Sequence, residues 1–150
     1  MSTGHALTAQ ILLVEDDLGD ELMAREAFGD DVQASRLHVA RDGEQALDFL
    51  YQRGDYTDAP RPDFILLDLN LPRVDGRQVL RTIKDDPSVA SIPVVVLTTS
   101  SADEDVVACY NTHTNAYVTK PADYQEFVDI VRQINQFWLD TVRLPSSAAA

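Results

Sequence analysis

The sequence predicts an α/β fold: one five-stranded parallel sheet, doubly wound, in (βα)5 order. Three observations carry this. Five short runs rich in Ile, Leu and Val alternate with five segments of helical periodicity. Runs such as "ILLV" and "FILL" have no polar break, as expected of strands buried on both faces. The length of 150 residues and the 45% hydrophobic content suit one domain with a sizeable core. Strict alternation implies right-handed crossovers and helices on both faces of a parallel sheet.

Each element has its own signal. Residues 1–9 read as a loose arm. "QILLVEDD" (10–17) is an apolar strand that ends abruptly in acid. "LGDELMAREAFGD" (18–30) is a helix with Leu22, Ala24, Ala27 and Phe28 near one face, and Gly29 stops it. "RLHVAR" (36–41) alternates like a strand. "GEQALDFLYQR" (43–53) sets Ala46, Leu47, Leu50 and Tyr51 on one helical face. "GDYTDAPRP" (54–62) is a loop. "DFILLDLNLP" (63–72) repeats the first pattern, a buried strand ending in acid.

"VDGRQVLRTIKDD" (74–86) reads as a helix with Val79, Leu80 and Ile83 inward. "IPVVVLTTSS" (92–101) is a buried strand closing on four hydroxyls. "ADEDVVACYNTH" (102–113) begins acidic, which suits a helix N-terminus. Cys109 falls on its apolar face. "NAYVTKPAD" (115–123) is a short strand broken by proline. "YQEFVDIVRQINQFWLDTV" (124–142) is the clearest helix, with Phe127, Ile130, Val131, Ile134, Phe137 and Trp138 at i, i+3, i+4, i+7 spacing. Phe137, Trp138 and Leu139 cannot all face one core, so an exposed apolar patch is expected there. The domain is bounded at 10–140, with a C-terminal tail at 141–150.

Charge narrows the function. The chain has 12 basic and 25 acidic side chains, a net charge of −13. This argues against the nucleic-acid backbone and against anionic membrane surfaces, and it favours cations where carboxylates converge. A single cysteine excludes an internal disulfide framework and a multi-cysteine zinc site. No basic region followed by an apolar run opens the sequence, and no apolar run approaches ~18 residues. The expected compartment is the cytosol.

In open parallel sheets, ligands sit beyond the carboxyl ends of the strands. There the sequence places Glu15, Asp16 and Asp17, then Asp68 with Asn70 close behind, then Thr98 to Ser101, then Thr119, Lys120 and Pro121. Clustered carboxylates repel unless a cation is present. Magnesium suits them, since it takes oxygen ligands and keeps several waters. Lys120 adds a fixed positive charge for an anion, and a hydroxyl can donate to that anion. No G-x-x-x-x-G-K-S/T loop holds a nucleotide. One carboxylate could instead attack a phosphoryl group, with metal and lysine neutralising the charge. Asp17, one place past the acid pair, reads as a helix cap rather than a ligand.

These residues resemble the receiver domain of two-component response regulators, over roughly residues 9–140. "LLVEDD" is similar to the acidic motif, which makes Glu15 and Asp16 the acid pair. "LLDLNLPRVDG" resembles the phosphoacceptor motif, implying Asp68 as acceptor and the Asn70 carbonyl as a metal ligand. "VVVLTTS" implies Thr98 as the switch hydroxyl, and "AYVTKP" implies Lys120 as the phosphate-binding lysine and Tyr117 as the rotating aromatic. The resemblance further implies a CheY-like fold, bound Mg2+, and a cis peptide between Lys120 and Pro121. Ser100 stands where the family tunes phosphoryl lifetime. Thr99 and Ser101 are expected only to cap the next helix.

On this reading the protein is a phosphoacceptor rather than an enzyme, and the phosphohistidine belongs to a partner sensor histidine kinase. No output segment follows the receiver in this sequence, so a downstream protein or a phosphotransfer domain is the expected target. The long loop at 54–62 and "FWLDTVRLP" resemble the stand-alone regulators of bacterial phytochrome histidine kinases. That subgroup implies a homodimer, through the face of the fourth and fifth helices or a C-terminal arm carrying Trp138, Leu139, Val142 and Leu144. The alternatives are weaker. A haloacid dehalogenase phosphatase wants an acid where Asn70 stands. A flavodoxin-like nucleotide binder wants a phosphate loop where "EDD" stands. A phosphorylation-silent scaffold would have no use for the intact acidic set.

Overall fold

The computed structural model describes residues 9–29 and 36–145. The expected arm, apart from residue 9, and the last part of the expected tail lie outside the described residues. Among the described residues the strands and α-helices are, in chain order, β1 (Ile11–Val14), α1 (Leu18–Phe28), β2 (Leu37–Ala40), α2 (Gly43–Leu50), β3 (Phe64–Leu67), α3 (Gly76–Asp85), β4 (Val94–Thr98), α4 (Asp103–Asn111), β5 (Ala116–Thr119) and α5 (Tyr124–Asn135), and the expected loop at 54–62 opens with a 3-10 turn, Gly54–Tyr56. The five strands form one sheet in the order β2-β1-β3-β4-β5, and every pairing is parallel. The chain winds one way from β1 to β2 and the other way from β3 onward. The crevice between the carboxyl ends of β1 and β3 is therefore the natural ligand position.

Alternate strand residues feed two cores. Leu12, Val14, Ile65, Leu67, Val94 and Val96 pack with Ala46, Phe49 and Leu50 of α2, with Val79, Leu80 and Ile83 of α3, and with Cys109 of α4. Ile11, Leu13, Phe64, Leu66, Val95 and Leu97 pack with α1 and α5 on the other side. Each such aliphatic side chain contributes about 1.5–3 kcal/mol by leaving water. Four helices start on an aspartate whose carboxylate accepts a first-turn N–H: Asp17, Asp42, Asp75 and Asp123. Each cap is worth about 1 kcal/mol.

Several expectations are corrected. In α1 the buried face is Glu21, Ala24, Ala27 and Phe28, while Leu22 is 56% exposed. Glu21 tolerates burial because Arg25 and Arg41 both donate to it, at 3.0 Å each. The N-cap of helix α4 is Ala102, with no side-chain cap bond, so neither Thr99 nor Ser101 caps it. The turn is held instead by Ser100, whose Oγ accepts from the Ala102 N–H at 3.4 Å and donates to Asp105 at 2.6 Å.

The last helix changes winding. After Asn135 the chain widens into a π-helical segment, Gln136–Thr141. The extra residue per turn brings Leu139 into the core, and Trp138 stacks on Phe64 with centroids 5.6 Å apart. Val142 packs there too and Leu144 is buried, so the described part of the expected tail lies on the body. The expected apolar patch reduces to Phe137, half exposed and edge-on to Trp138. Among the described residues, no helix is long and apolar enough to cross a membrane.

Candidate functional site

The site is assembled at the carboxyl edge of the sheet. Glu15 and Asp16 follow β1 directly, Asp68 follows β3, Thr98 ends β4 and Lys120 follows β5. The backbone ties these ends together. The Asp68 N–H donates to the Val14 carbonyl at 3.1 Å, and the Lys120 N–H to the Thr98 carbonyl at 2.7 Å. Gly76 lets α3 start against the end of β3: a Cβ there would lie 2.1 Å from the Asp68 carbonyl oxygen.

Lys120 is the hub. Its ammonium donates to Glu15 Oε1 at 2.6 Å, to Asp20 Oδ2 at 2.8 Å and to Asp68 Oδ2 at 3.0 Å. Burial works against its charge, but the bonds to Asp20 and Glu15 and the charges of Glu15 and Asp68 overcome that and raise its pKa. Glu15 is pushed up to about 7, chiefly by burial and further by Asp68, against the pull of Lys120. Both shifts are upward, because burial and the neighbouring Asp68 outweigh for Glu15 the one ammonium that three carboxylates share. We take Lys120 as charged, since three carboxylates face it, and Glu15 as the group that feels the excess negative charge.

That excess is a cation's opportunity. Glu15, Asp16 and Asp68 each turn a carboxylate oxygen to one place, within 4.8 Å of one another. Asp16 is exposed while the other two are buried, so one side remains open to solvent. Three hard oxygen donors with uncompensated charge fit Mg2+ or Mn2+. Asp68 Oδ1 also accepts from the Asn70 N–H at 3.3 Å, which aims the carboxylate.

A family model described as the response regulator receiver domain matches residues 11–132. The chain belongs to that family. This receiver domain is 47% identical to response regulator Rcp1 of Synechocystis over 137 residues, covering 91% of this chain and 93% of the relative. A solved Mn(2+)-bound form of response regulator Rcp1 superposes with a TM-score of 0.85 at 46% identity, covering 91% of this chain and 99% of that one. The phosphorylated cyanobacterial phytochrome response regulator RcpA gives 0.87 at 45% identity, with 91% and 98% covered.

The receiver domain thus brings Glu15, Asp16, Asp68 and Lys120 into one cluster, with Asn70 at its edge. Thr98 lies on the strand next to Asp68, fully buried, and its Oγ1 accepts from the Ser100 N–H at 3.4 Å. Tyr117 is half-buried against the first core, and its Oη donates to the Ser100 carbonyl at 2.8 Å. Asp17 caps α1 as expected, accepting from the Asp20 N–H. The Lys120–Pro121 bond is not cis: the peptides among the described residues are all trans. Trans is the ordinary preference of an X–Pro bond, by about 0.5–1 kcal/mol.

Two features escaped the sequence reading. Asp20 stands on the first turn of α1 and reaches Lys120; its spacing three after the capping Asp17 signals only a capping position, not this contact. Arg77 clamps Asp105 with two bonds, at 2.8 and 2.7 Å, and Asp75 with a third at 3.0 Å. It thereby ties α3 to α4 beside the turn that holds Ser100, which itself donates to Asp105. No local pattern announces that pair.

Proposed function

We propose that this receiver domain accepts a phosphoryl group on Asp68, in a magnesium-dependent reaction, from a sensor histidine kinase of the phytochrome class. The observation that carries the reading is the buried Asp68 carboxylate, with the Lys120 ammonium at 3.0 Å and two further carboxylates converging on the same place. An Asp68 oxygen forms a bond to phosphorus. The bond from phosphorus to the donor's imidazole nitrogen breaks, and its electron pair leaves with the donor. A bound divalent cation would supply charge neutralisation at the phosphoryl oxygens. Glu15, Asp16, Asp68 and the Asn70 carbonyl are its proposed ligands. Lys120 binds a phosphoryl oxygen, and Thr98 donates to another.

Readout passes through the loop after β4. Thr98 and Ser100 share a hydrogen bond, and Tyr117 holds the Ser100 carbonyl. A pull on the Thr98 hydroxyl is felt by the Tyr117 ring, which borders the α4 surface. The target is a protein partner or a phosphotransfer domain. Val107 and Tyr110 of α4, 58% and 49% exposed, make that face the proposed homodimer contact, because Trp138, Leu139, Val142 and Leu144 are taken up by the chain's own core.

Support for the kinase class comes from likeness to Rcp1 and to the phytochrome regulator RcpA, one seen with Mn(2+) and the other phosphorylated. The test is phosphotransfer from an autophosphorylated bacterial phytochrome kinase carrying labelled phosphate. Label should move to this chain in magnesium and not to Asp68→Asn. Equal labelling of both would overturn the assignment.

A further inference from the structure

We propose that Asp20 is a positioning residue that holds the Lys120 ammonium at rest and competes with the incoming phosphoryl oxygens for it. The inference rests on the phosphoacceptor reading above and deepens it.

An ammonium has three N–H donors, and all three of Lys120 are in use, on Glu15, Asp20 and Asp68. A phosphoryl oxygen can therefore reach Lys120 only if one bond is given up. The three partners are unequal. The Glu15 and Asp68 side chains are 4% and 7% exposed, while Asp20 is 23% exposed. A carboxylate left unpaired in the interior is costly, whereas one at the rim is rehydrated. Asp20 is the partner whose release costs least.

Its position also shows that the bond is not an accident of helix capping. Asp20 lies three residues after the capping Asp17, where an acidic side chain ordinarily turns back to the cap's own N–H. Here that N–H donates to Glu15 Oε2 at 3.1 Å, and the Asp20 carboxylate turns to Lys120 instead. The first turn of α1 favours its negative charge. Asp20 is not one of the three carboxylates that converge for a cation. Removing its charge leaves those donors in place.

The test uses beryllium fluoride, which binds a carboxylate as a non-covalent phosphoryl stand-in, titrated into the chain in saturating magnesium and followed by amide NMR. Asp20→Asn should bind it roughly three- to fivefold more tightly than wild type, the range expected for loss of a competing partly exposed ion pair. Magnesium affinity should stay unchanged. Asp20→Glu keeps the charge within reach and should return binding to the wild-type value. A merely structural Asp20 would change the melting temperature and leave these affinities alone. Asp20→Asn that binds the mimic as wild type does, or more weakly, overturns the inference. A wild-type chain that binds none overturns the phosphoacceptor reading itself, and this inference with it.

Discussion

The Lys120 ammonium lies 3.0 Å from Asp68 Oδ2, and both side chains are buried. Removing the lysine leaves buried carboxylates facing one another. Lys120→Ala should lose about 3 kcal/mol of stability at neutral pH without metal, the cost of breaking a buried pair from one side. Magnesium should return part of that loss, because the carboxylates that hold it remain. Urea unfolding with and without magnesium checks this; no gain from magnesium in either protein would speak against a cation at this cluster.

A second expectation concerns wild-type metal binding. Saturating Mg2+ at about 100 times its dissociation constant should stabilise the chain by about 2.7 kcal/mol. Asp16→Asn should remove most of that gain while changing metal-free stability little, since Asp16 is exposed. Thermal melts of the two proteins across a magnesium series decide it.

Gly76 reverses the usual helix rule. Alanine in a helix is normally better than glycine by about 1 kcal/mol. Here the added methyl would meet the Asp68 carbonyl oxygen at 2.1 Å and the Leu69 Cα at 2.6 Å. Gly76→Ala should therefore destabilise by about 1–3 kcal/mol and displace the end of β3 that carries Asp68. Chemical denaturation gives the first effect, and slower labelling by a phosphodonor gives the second.

The α3–α4 clamp sets an acid limit. An aspartate in the unfolded chain titrates near ~3.9. Asp105 is held down to about 2 by the Arg77 guanidinium and the Ser100 hydroxyl. The folded state thus takes up this proton less readily than the unfolded one. The contribution is complete above about pH 4 and is lost as pH falls toward 2. For a partly exposed pair it should amount to about 1–2 kcal/mol. Asp105→Asn should lower stability at pH 7 by that amount, and its gap to wild type should narrow steadily as pH falls from about 4 toward 2. Unfolding free energies measured across that window give the comparison.

What was legible in the sequence follows from where information is local. Strands β1, β3 and β4 were readable because their apolar runs are unbroken, and Asp68 stood out because a buried run ends on acid. The cluster of Glu15, Asp16, Asp68 and Lys120 followed from topology, since a parallel sheet brings successive strand ends to one edge. Helix faces were less secure. Glu21, buried where Leu22 was expected, depends on two arginines, one of them twenty residues away. The π-helical winding after Asn135 depends on Phe64 offering a stacking partner to Trp138. The Lys120–Asp20 and Arg77–Asp105 pairs join distant segments, so no periodicity could show them.

The most direct measurement is intact mass after incubation with a small-molecule phosphodonor and magnesium, for wild type and Asp68→Asn side by side. Wild type should gain one phosphoryl group, lost again when the donor is removed, and Asp68→Asn should gain none. A phosphoryl group on the Asp68→Asn chain to the same extent would contradict it.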